Sequence, residues 1–250
     1  MPYDVNEQLD RAAAILKRAK RVAVLTGAGI SAESGLATFR GAGGLWEGYR
    51  VEEVATPRAF ARDPGLVWRF YNLRRANLAT VQPNPGHRAL VDLENRLGDG
   101  AFTLITQNVD GLHHAAGSRC VLEIHGSIRR VRCSGCEVIE DRGVETLPEL
   151  PCCGKCNALL RPDVVWFEEM LPQDIWLQAE DAAQTCDCFL VIGTSAVVYP
   201  AAGLIESART NGAEVIEVNL APTPASSEAD IVLLGPAGMM LPDLIQRIAR

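Results

Sequence analysis

Short apolar runs alternate with longer stretches whose apolar residues recur at helical spacing, and this alternation constrains the fold of the 250-residue chain most strongly. Continuous apolar runs are typical of parallel strands that helices cover on both faces. The predicted strands are 21–26, 101–106, 120–124, 188–193, 214–218 and 230–234, and the predicted helices are 6–19, 86–97, 109–116, 173–184, 200–210 and 239–249. The pattern therefore predicts an α/β fold built on a parallel sheet.

Two segments do not follow the alternation. Residues 43–85 carry no strand signal and contain one predicted helix, 65–79, between two prolines. Residues 127–163 carry several cysteines and little apolar periodicity. We interpret both segments as insertions that together form a smaller second domain.

Charge and hydropathy exclude several classes of partner. Lys and Arg number 24 against 31 Asp and Glu, a net charge of -7, so the chain lacks the basic footprint of a nucleic-acid-binding protein. Without an apolar run of about 20 residues, no membrane span is predicted. The N-terminal segment does not resemble a signal peptide, so we predict a cytoplasmic protein with no membrane or nucleic-acid partner.

Four cysteines have the spacing of a zinc site, C-x2-C-x16-C-x2-C, and the predicted ligands are Cys133, Cys136, Cys153 and Cys156. Four thiolates fill a tetrahedral coordination sphere, so the zinc is expected to be structural. Its expected role is to fold a segment that is poor in apolar residues. By spacing alone, Cys152 is an alternative third ligand.

A glycine-containing turn follows the first predicted strand. In Gly27-Ala28-Gly29 the glycines allow the backbone to approach a phosphate closely, although an isolated Gly-x-Gly is more often only a tight turn. The next glycine, Gly35, lies outside the dehydrogenase spacing, and no second strand supplies a ribose-binding acid. The turn is therefore not an ordinary dehydrogenase fingerprint.

Several motifs occur together in one order along the chain. They are GAGISAESG at 27–35, TFRG at 38–41, TQNVDG at 106–111, His125-Gly126, the paired cysteines, Gly193-Thr194-Ser195 and Asn219. Over about residues 20–245 the chain resembles the sirtuin family of NAD-dependent protein lysine deacylases. The resemblance implies a Rossmann-like NAD-binding domain from 1–42, 86–126 and 164–250. It also implies a small domain made of a helical module, 43–85, and a zinc-binding module, 127–163.

The resemblance also implies NAD as co-substrate and one structural zinc ion. Its implied NAD contacts are Gly27, Ala28, Gly29, Thr38, Phe39, Arg40, Trp46, Gln107, Asn108, Val109, Asp110, Gly193, Thr194, Ser195, Asn219 and Ala237. The early residues correspond to the pyrophosphate loop, residues 107–110 to the nicotinamide and ribose pocket, and residues from 193 onward to the adenosine end. Asn108, Gly193 and Asn219 lie at or just past carboxyl ends of predicted strands, where ligands bind in open α/β sheets.

His125 and Asn108 are the catalytic residues that the resemblance implies. In the family reaction, the acyl-lysine carbonyl oxygen attacks ribose C1′ of NAD as nicotinamide departs. A base then activates a ribose hydroxyl, and the products are free lysine, nicotinamide and O-acyl-ADP-ribose. Imidazole suits that base because its ordinary pKa, about 6.5, lies near neutral pH. A lone histidine would otherwise be interpreted as a polar residue at a strand end.

A further resemblance, to the class III branch of the family, concerns the acyl group. Tyr71 and Arg74 share one face of the predicted helix 65–79, and in that branch such a pair binds the distal carboxylate of succinyl- or malonyl-lysine. The small Ala59 is expected to leave room for the acyl group. Arg75, about 100° further round the helix, is expected to be solvated.

Val165, Trp166 and Phe167 resemble the family strand that pairs with an acyl-lysine polypeptide. The chain departs from the family here, since Glu168 stands where the family pattern has glycine. Glycine permits backbone conformations that Glu does not, and the departure concerns the geometry of peptide docking.

Three alternatives to the deacylase remain. An NAD-dependent oxidoreductase is disfavoured by the glycine spacing and by the absence of a Tyr-x-x-x-Lys pair. A non-catalytic zinc and nucleotide adaptor would need neither His125 nor Asn108. Mono-ADP-ribosyl transfer would use the same NAD residues and stays open as a side activity.

Overall fold

The computed structural model describes residues 4–37, 45–46 and 48–249, and for 45–46 it describes the backbone alone. The strands are β1 (Val22–Thr26), β2 (Leu45–Trp46), β3 (Tyr49–Arg50), β4 (Phe102–Thr106), β5 (Val121–Glu123), β6 (Gly126–Cys133), β7 (Ile139–Asp141), β8 (Leu160–Val164), β9 (Cys188–Ile192), β10 (Glu214–Asn219) and β11 (Ile231–Leu234). The α-helices are α1 (Val5–Arg18), α2 (Ala28–Ala32), α3 (Val51–Val54), α4 (Pro57–Arg62), α5 (Pro64–Leu78), α6 (Pro85–Leu97), α7 (Leu112–Ala116), α8 (Gln173–Thr185), α9 (Gly203–Thr210) and α10 (Ala237–Ala249).

The predicted parallel sheet is confirmed. Six strands follow the order β11-β10-β9-β1-β4-β5, and every neighbouring pair is parallel. The chain order reverses beside β1, which lies between β9 and β4. This is the switch point at which ligands bind in such sheets.

Successive residues of the central strands point to opposite faces of the sheet. In β1, Val24 joins the core beneath α1, α6 and α10, whereas Leu25 joins the core beneath α8 and α9. All five residues of β1 are buried, which explains why its sequence is apolar up to the final Thr26.

The two insertions share one apolar core, in which Trp68 and Tyr71 of α5 pack with Val131, Leu160 and Trp166. The domain boundaries given above stay a prediction. The sequence patterns missed the antiparallel sheet β7-β6-β8, which runs from Gly126 to Val164, and the short β2-β3 hairpin within 43–85. Basic residues conceal the alternation in β6, whose sequence is GSIRRVRC.

The expectation that Arg75 is solvated is wrong. Its side chain is 1% exposed, and its guanidinium donates hydrogen bonds to the carbonyl oxygens of Ile128, Arg142 and Glu145. A helical wheel places Arg75 away from Arg74 but does not show that another part of the chain covers it there.

Within the described residues, no helix combines the length and the apolar character that a membrane crossing requires.

Candidate active site

A cavity of about 550 Å³ opens at the carboxyl edge of the parallel sheet. Gly27 follows β1, Asn108 follows β4, His125 follows β5, Gly193 follows β9 and Asn219 ends β10, and all five residues line the cavity. The sheet therefore gathers residues that lie almost 200 positions apart in the sequence.

Two glycines allow the loops after β1 and β9 to touch. The amide of Gly29 donates to the carbonyl of Gly193 at 2.7 Å, and a Cβ on Gly29 would lie 2.7 Å from the Cα of Gly193. Gly193 itself has a φ of 59°, in the left-handed region that favours glycine. This close approach explains the glycine motif after β1 without reference to a ligand.

Side-chain amides of Gln107 and Asn108 hold the floor of the cavity. Asn108 Nδ2 donates to the carbonyl of Gly27 at 3.0 Å, and Gln107 Nε2 donates to Thr194 Oγ1 at 3.0 Å. Asp110 accepts a 2.8 Å hydrogen bond from Ser31, and burial raises the pKa of the Asp110 carboxyl. The floor is thus a network that links three strand ends.

His125 is held in an orientation that suits a base. Its Nδ1 lies 3.0 Å from the carbonyl oxygen of Gln107, so Nδ1 carries the proton and donates it. Nε2 is then the basic nitrogen. Burial lowers the pKa of His125, and the hydrogen bond to Gln107 opposes that shift only in part. The imidazole is therefore neutral near pH 7 and able to accept a proton.

The residue after His125 must be glycine. Gly126 has a φ of 75°, and a Cβ there would lie 2.1 Å from the carbonyl oxygen of Asp163 in β8. The His-Gly pair therefore joins the end of β5 directly to the zinc-module sheet.

Tyr71 and Arg74 line the cavity together, as their spacing on α5 predicts. Tyr71 is 1% exposed, and its hydroxyl accepts a 2.9 Å hydrogen bond from Trp166 Nε1. Arg74 is half-buried, with its guanidinium carbon 5.8 Å from the centre of the Tyr71 ring. Leu78 and Ile128 add apolar walls. The region combines a cation and a phenol within apolar surroundings.

Residues 165–167 extend beyond the end of β8 along the cavity rather than forming a strand. The amide of Val165 donates to the carbonyl of His125 at 2.9 Å, and that of Phe167 donates to the carbonyl of Ala55 at 3.0 Å. Val165, Trp166 and Phe167 all line the cavity, and Phe167 is 45% exposed.

Glu168 adopts the backbone conformation that the family glycine would favour. Its φ is 74°, which costs about 1–2 kcal/mol in a residue with a side chain. The carboxylate pairs with Arg58 of α4, a contact that glycine cannot make. The departure from the family pattern therefore keeps the turn and adds a link to the helical module.

The four predicted zinc ligands lie together. All four sulfur atoms fall within 4.8 Å of one another, and Cys133 and Cys156 are 3.3 Å apart. Tetrahedral coordination with Zn–S bonds of about 2.3 Å would place the sulfurs about 3.8 Å apart, so the set fits the ion. Exposed Cys152 lies outside this cluster and pairs through its backbone with Leu159. The geometry thus favours Cys153 as the third ligand.

The remaining predicted residues divide into three groups. Those that line the cavity are Ala28, Val109, Thr194 and Ser195. Ala59, 0% exposed, packs in the apolar core that contains Tyr71, and buried Ala237 begins α10, so neither lines the cavity. Thr38, Phe39, Arg40 and the Trp46 side chain lie outside the described residues.

Several cavity residues were missed from the sequence, and they include Ser31, Leu78, Glu169, Tyr199 and Leu220. Ser31 lies within the GAGISAESG motif, and Leu220 directly follows Asn219. Glu169 binds Arg161 through two hydrogen bonds of 2.6 and 2.8 Å and accepts the amide of Trp166 at 2.8 Å. Apart from position next to a motif, no local signal marks these residues.

Two buried histidines beneath the cavity should make stability fall in acid. Desolvation lowers the pKa of His87 to about 4 and that of His113 well below its ordinary value. Below pH 6.5 His87 binds a proton in the unfolded chain but stays largely neutral in the folded chain down to about pH 4. Protonation therefore favours unfolding. We expect the free energy of unfolding to lose about 3 kcal/mol through His87 between pH 6.5 and 4.

Urea titrations of wild type and His87→Gln across that range measure the difference. The variant should show the shallower loss, and substitution of exposed His114 by alanine serves as the control. Parallel curves for wild type and His87→Gln would contradict the assignment.

Comparison with known proteins agrees with this geometry. A model of the Sir2 family matches residues 27–200. An NAD-dependent protein deacylase 2 of Pyrobaculum aerophilum is 52% identical over 239 residues, which cover 94% of each chain.

Two solved structures show a similar fold. A Sir2 homologue in complex with NAD superimposes with a TM-score of 0.89 at 44% identity, covering 96% of this chain and 93% of the other. A Sir2 protein bound to a myristoylated histone peptide superimposes with a TM-score of 0.79 at 37% identity, covering 98% of both chains.

Proposed function

This chain belongs to the Sir2 family, and we propose that it is an NAD-dependent protein deacylase that removes acyl groups from lysine side chains. NAD would be consumed as co-substrate, and the products would be free lysine, nicotinamide and O-acyl-ADP-ribose. The single observation that carries the proposal is the placement of His125, a neutral base with an oriented tautomer, in the cavity that Gly27, Asn108 and Asn219 also line.

Different residues of the cavity would bind NAD, orient its ribose and accept the proton. The loop that begins at Gly27 would bind the pyrophosphate, and Asn219, at the end of β10, would lie on the adenosine side. Asn108, braced on the carbonyl of Gly27, would orient the nicotinamide ribose. His125 would accept the proton of a ribose hydroxyl at Nε2, since its Nδ1 proton is bound to Gln107.

The acylated polypeptide would dock beside residues 165–167. This segment follows β8 and borders the cavity, and its amides at Val165 and Phe167 already bind His125 and Ala55. These contacts hold its backbone against both domains. The amide of Trp166 binds Glu169 as well, so a docked peptide would donate its own amides to carbonyl oxygens of this fixed segment.

We further propose that the acyl pocket accepts succinyl- and malonyl-lysine through Tyr71 and Arg74. A carboxylate that enters an apolar pocket loses hydration and needs a charged partner there. The half-buried guanidinium of Arg74 supplies that partner, and Trp166 fixes the Tyr71 hydroxyl within reach of the same space. Cytoplasmic location and an acyl-lysine polypeptide as partner belong to the same proposal.

Replacement of Arg74 by methionine should change the acyl preference. Because a carboxylate would then be buried without its cation, we expect kcat/KM for a succinyl-lysine peptide to fall about 100-fold. A neutral acetyl group makes no such demand, so deacetylation should fall far less. Mass spectrometry of the products formed from NAD and each peptide measures both activities and also distinguishes NAD consumption from simple reduction.

The matched control is Arg69→Met, on the same helix but exposed and paired with Glu149 at the surface. It should leave both activities near wild type. Equal losses on both peptides in Arg74→Met would show that Arg74 supports the fold instead of reading the acyl group.

A further inference from the structure

We propose that Asn72 and Arg75 are positioning residues that set the acyl preference by fixing α5 against the main chain of the zinc-binding module. Neither lines the cavity. The inference deepens the proposed function and rests on it, because it concerns how Tyr71 and Arg74 are held.

The face of α5 that carries Trp68, Asn72 and Arg75 is bound by six hydrogen bonds. Arg75 donates to three carbonyl groups, two of them at 2.9 and 3.0 Å, all between residues 128 and 145. Asn72 donates to the carbonyl of Leu147 at 2.8 Å and accepts from the same residue's amide at 3.0 Å. Trp68 Nε1 donates to the carbonyl of Leu160 at 2.9 Å.

All six partners are backbone groups of the zinc-binding module. Such contacts depend on the backbone path of the zinc-binding module and not on the identity of its side chains. Two of the accepting residues lie in paired strands: Leu160 of β8 pairs with Cys133 of β6, and the amide of Ile128 in β6 donates to the carbonyl of Val109 at 2.9 Å. The hydrogen bonds therefore determine the rotation and height of α5 relative to that sheet.

Each anchor is adjacent in sequence to a residue of the acyl pocket. Tyr71 precedes Asn72 and Arg74 precedes Arg75, and successive residues of a helix lie about 100° apart. A small rotation of α5 that broke the anchors would carry Tyr71 and Arg74 round with it. Misplacement of a substrate-positioning group by about 1 Å can cost about 100-fold in rate.

The ion pair between Arg69 and Glu149 joins the same helix to the same module, but through two exposed side chains. Flexible surface pairs of this kind contribute little. Arg69 is therefore a control that removes a link between the two modules without removing a main-chain anchor.

The experiment measures kcat/KM for succinyl- and acetyl-lysine peptides, and KM for NAD, in wild type, Asn72→Ala, Arg75→Met, Arg75→Lys, Arg69→Ala and Arg74→Met. We expect Asn72→Ala to lower the succinyl-to-acetyl ratio about tenfold, mainly through KM for the succinyl peptide, with KM for NAD unchanged. Arg75→Met should lower the ratio further, and Arg75→Lys should restore part of it. Arg69→Ala should leave the ratio at the wild-type value.

Thermal unfolding of each variant identifies any that fail to fold. If Arg75→Met does not fold, Asn72→Ala, at a half-buried position, still tests the proposal. If Asn72→Ala leaves the succinyl-to-acetyl ratio unchanged, with or without equal losses on both peptides, while Arg74→Met lowers that ratio, the positioning role is overturned and the acyl proposal stands. An unchanged ratio in Arg74→Met would overturn both.

Discussion

Replacement of His125 by alanine is expected to lower the rate of deacylation about 10²- to 10⁴-fold, the range for loss of a general base. The Nδ1 hydrogen bond to Gln107 leaves Nε2 as the basic atom in the cavity, and alanine removes it. NAD affinity and zinc content should remain, because the hydrogen bond from Asn108 to Gly27 and the cysteine cluster do not involve the imidazole. Single-turnover product formation and NAD binding measure the two effects separately.

The matched control is His114→Ala, which removes an imidazole that is 49% exposed and does not line the cavity. It should keep wild-type turnover. A His125→Ala protein that turns over at the wild-type rate would contradict the assignment of the base.

The pH dependence offers a second check on His125. Burial lowers its pKa, so the neutral form should persist below the ordinary value of about 6.5. The acid limb of kcat/KM, which reports the free enzyme, is therefore expected to have its midpoint below pH 6.5 in wild type. An acid limb centred well above that value would assign the titration to another group.

Loss of a cysteine from the cluster is expected to have the second large effect. Cys133 ends β6, and Cys153 lies in the same apolar core as Trp68, so the cluster joins the small-domain sheet to the segment after residue 150. Structural zinc contributes about 10–16 kcal/mol in small zinc modules, which exceeds the stability of most domains. Cys156→Ser should therefore release the metal, unfold the small domain and abolish peptide turnover.

Metal content by elemental analysis and the thermal unfolding temperature, each measured on purified protein, check this expectation. Cys152→Ser is the matched control, because Cys152 neighbours a ligand but lies outside the cluster. It should retain one zinc per chain and the wild-type unfolding temperature. Wild-type protein without stoichiometric zinc would contradict the structural role. So would a Cys156→Ser variant that keeps the wild-type unfolding temperature.

The order and type of the main elements were determined by the sequence itself. Buried strands such as β1 require unbroken apolar runs, and the helices that cover them require apolar residues at helical spacing, so local patterns predicted the parallel sheet. Ligand spacing within two short loops likewise predicted the cysteine cluster, since few geometries satisfy C-x2-C twice. The strand ends also predicted which side chains would meet at the cavity.

The partners of buried polar side chains were decided only by the tertiary structure. Arg75 is a charged residue at a helical position that predicts exposure to solvent. Segments 53 to 70 residues away in the sequence nevertheless bury it and accept its hydrogen bonds. Ala59 has the small size expected of a pocket residue but packs in the core instead. A helical or strand period reports which face of one element is apolar. It does not report which distant main chain will cover that face, because that depends on how the two insertions pack together.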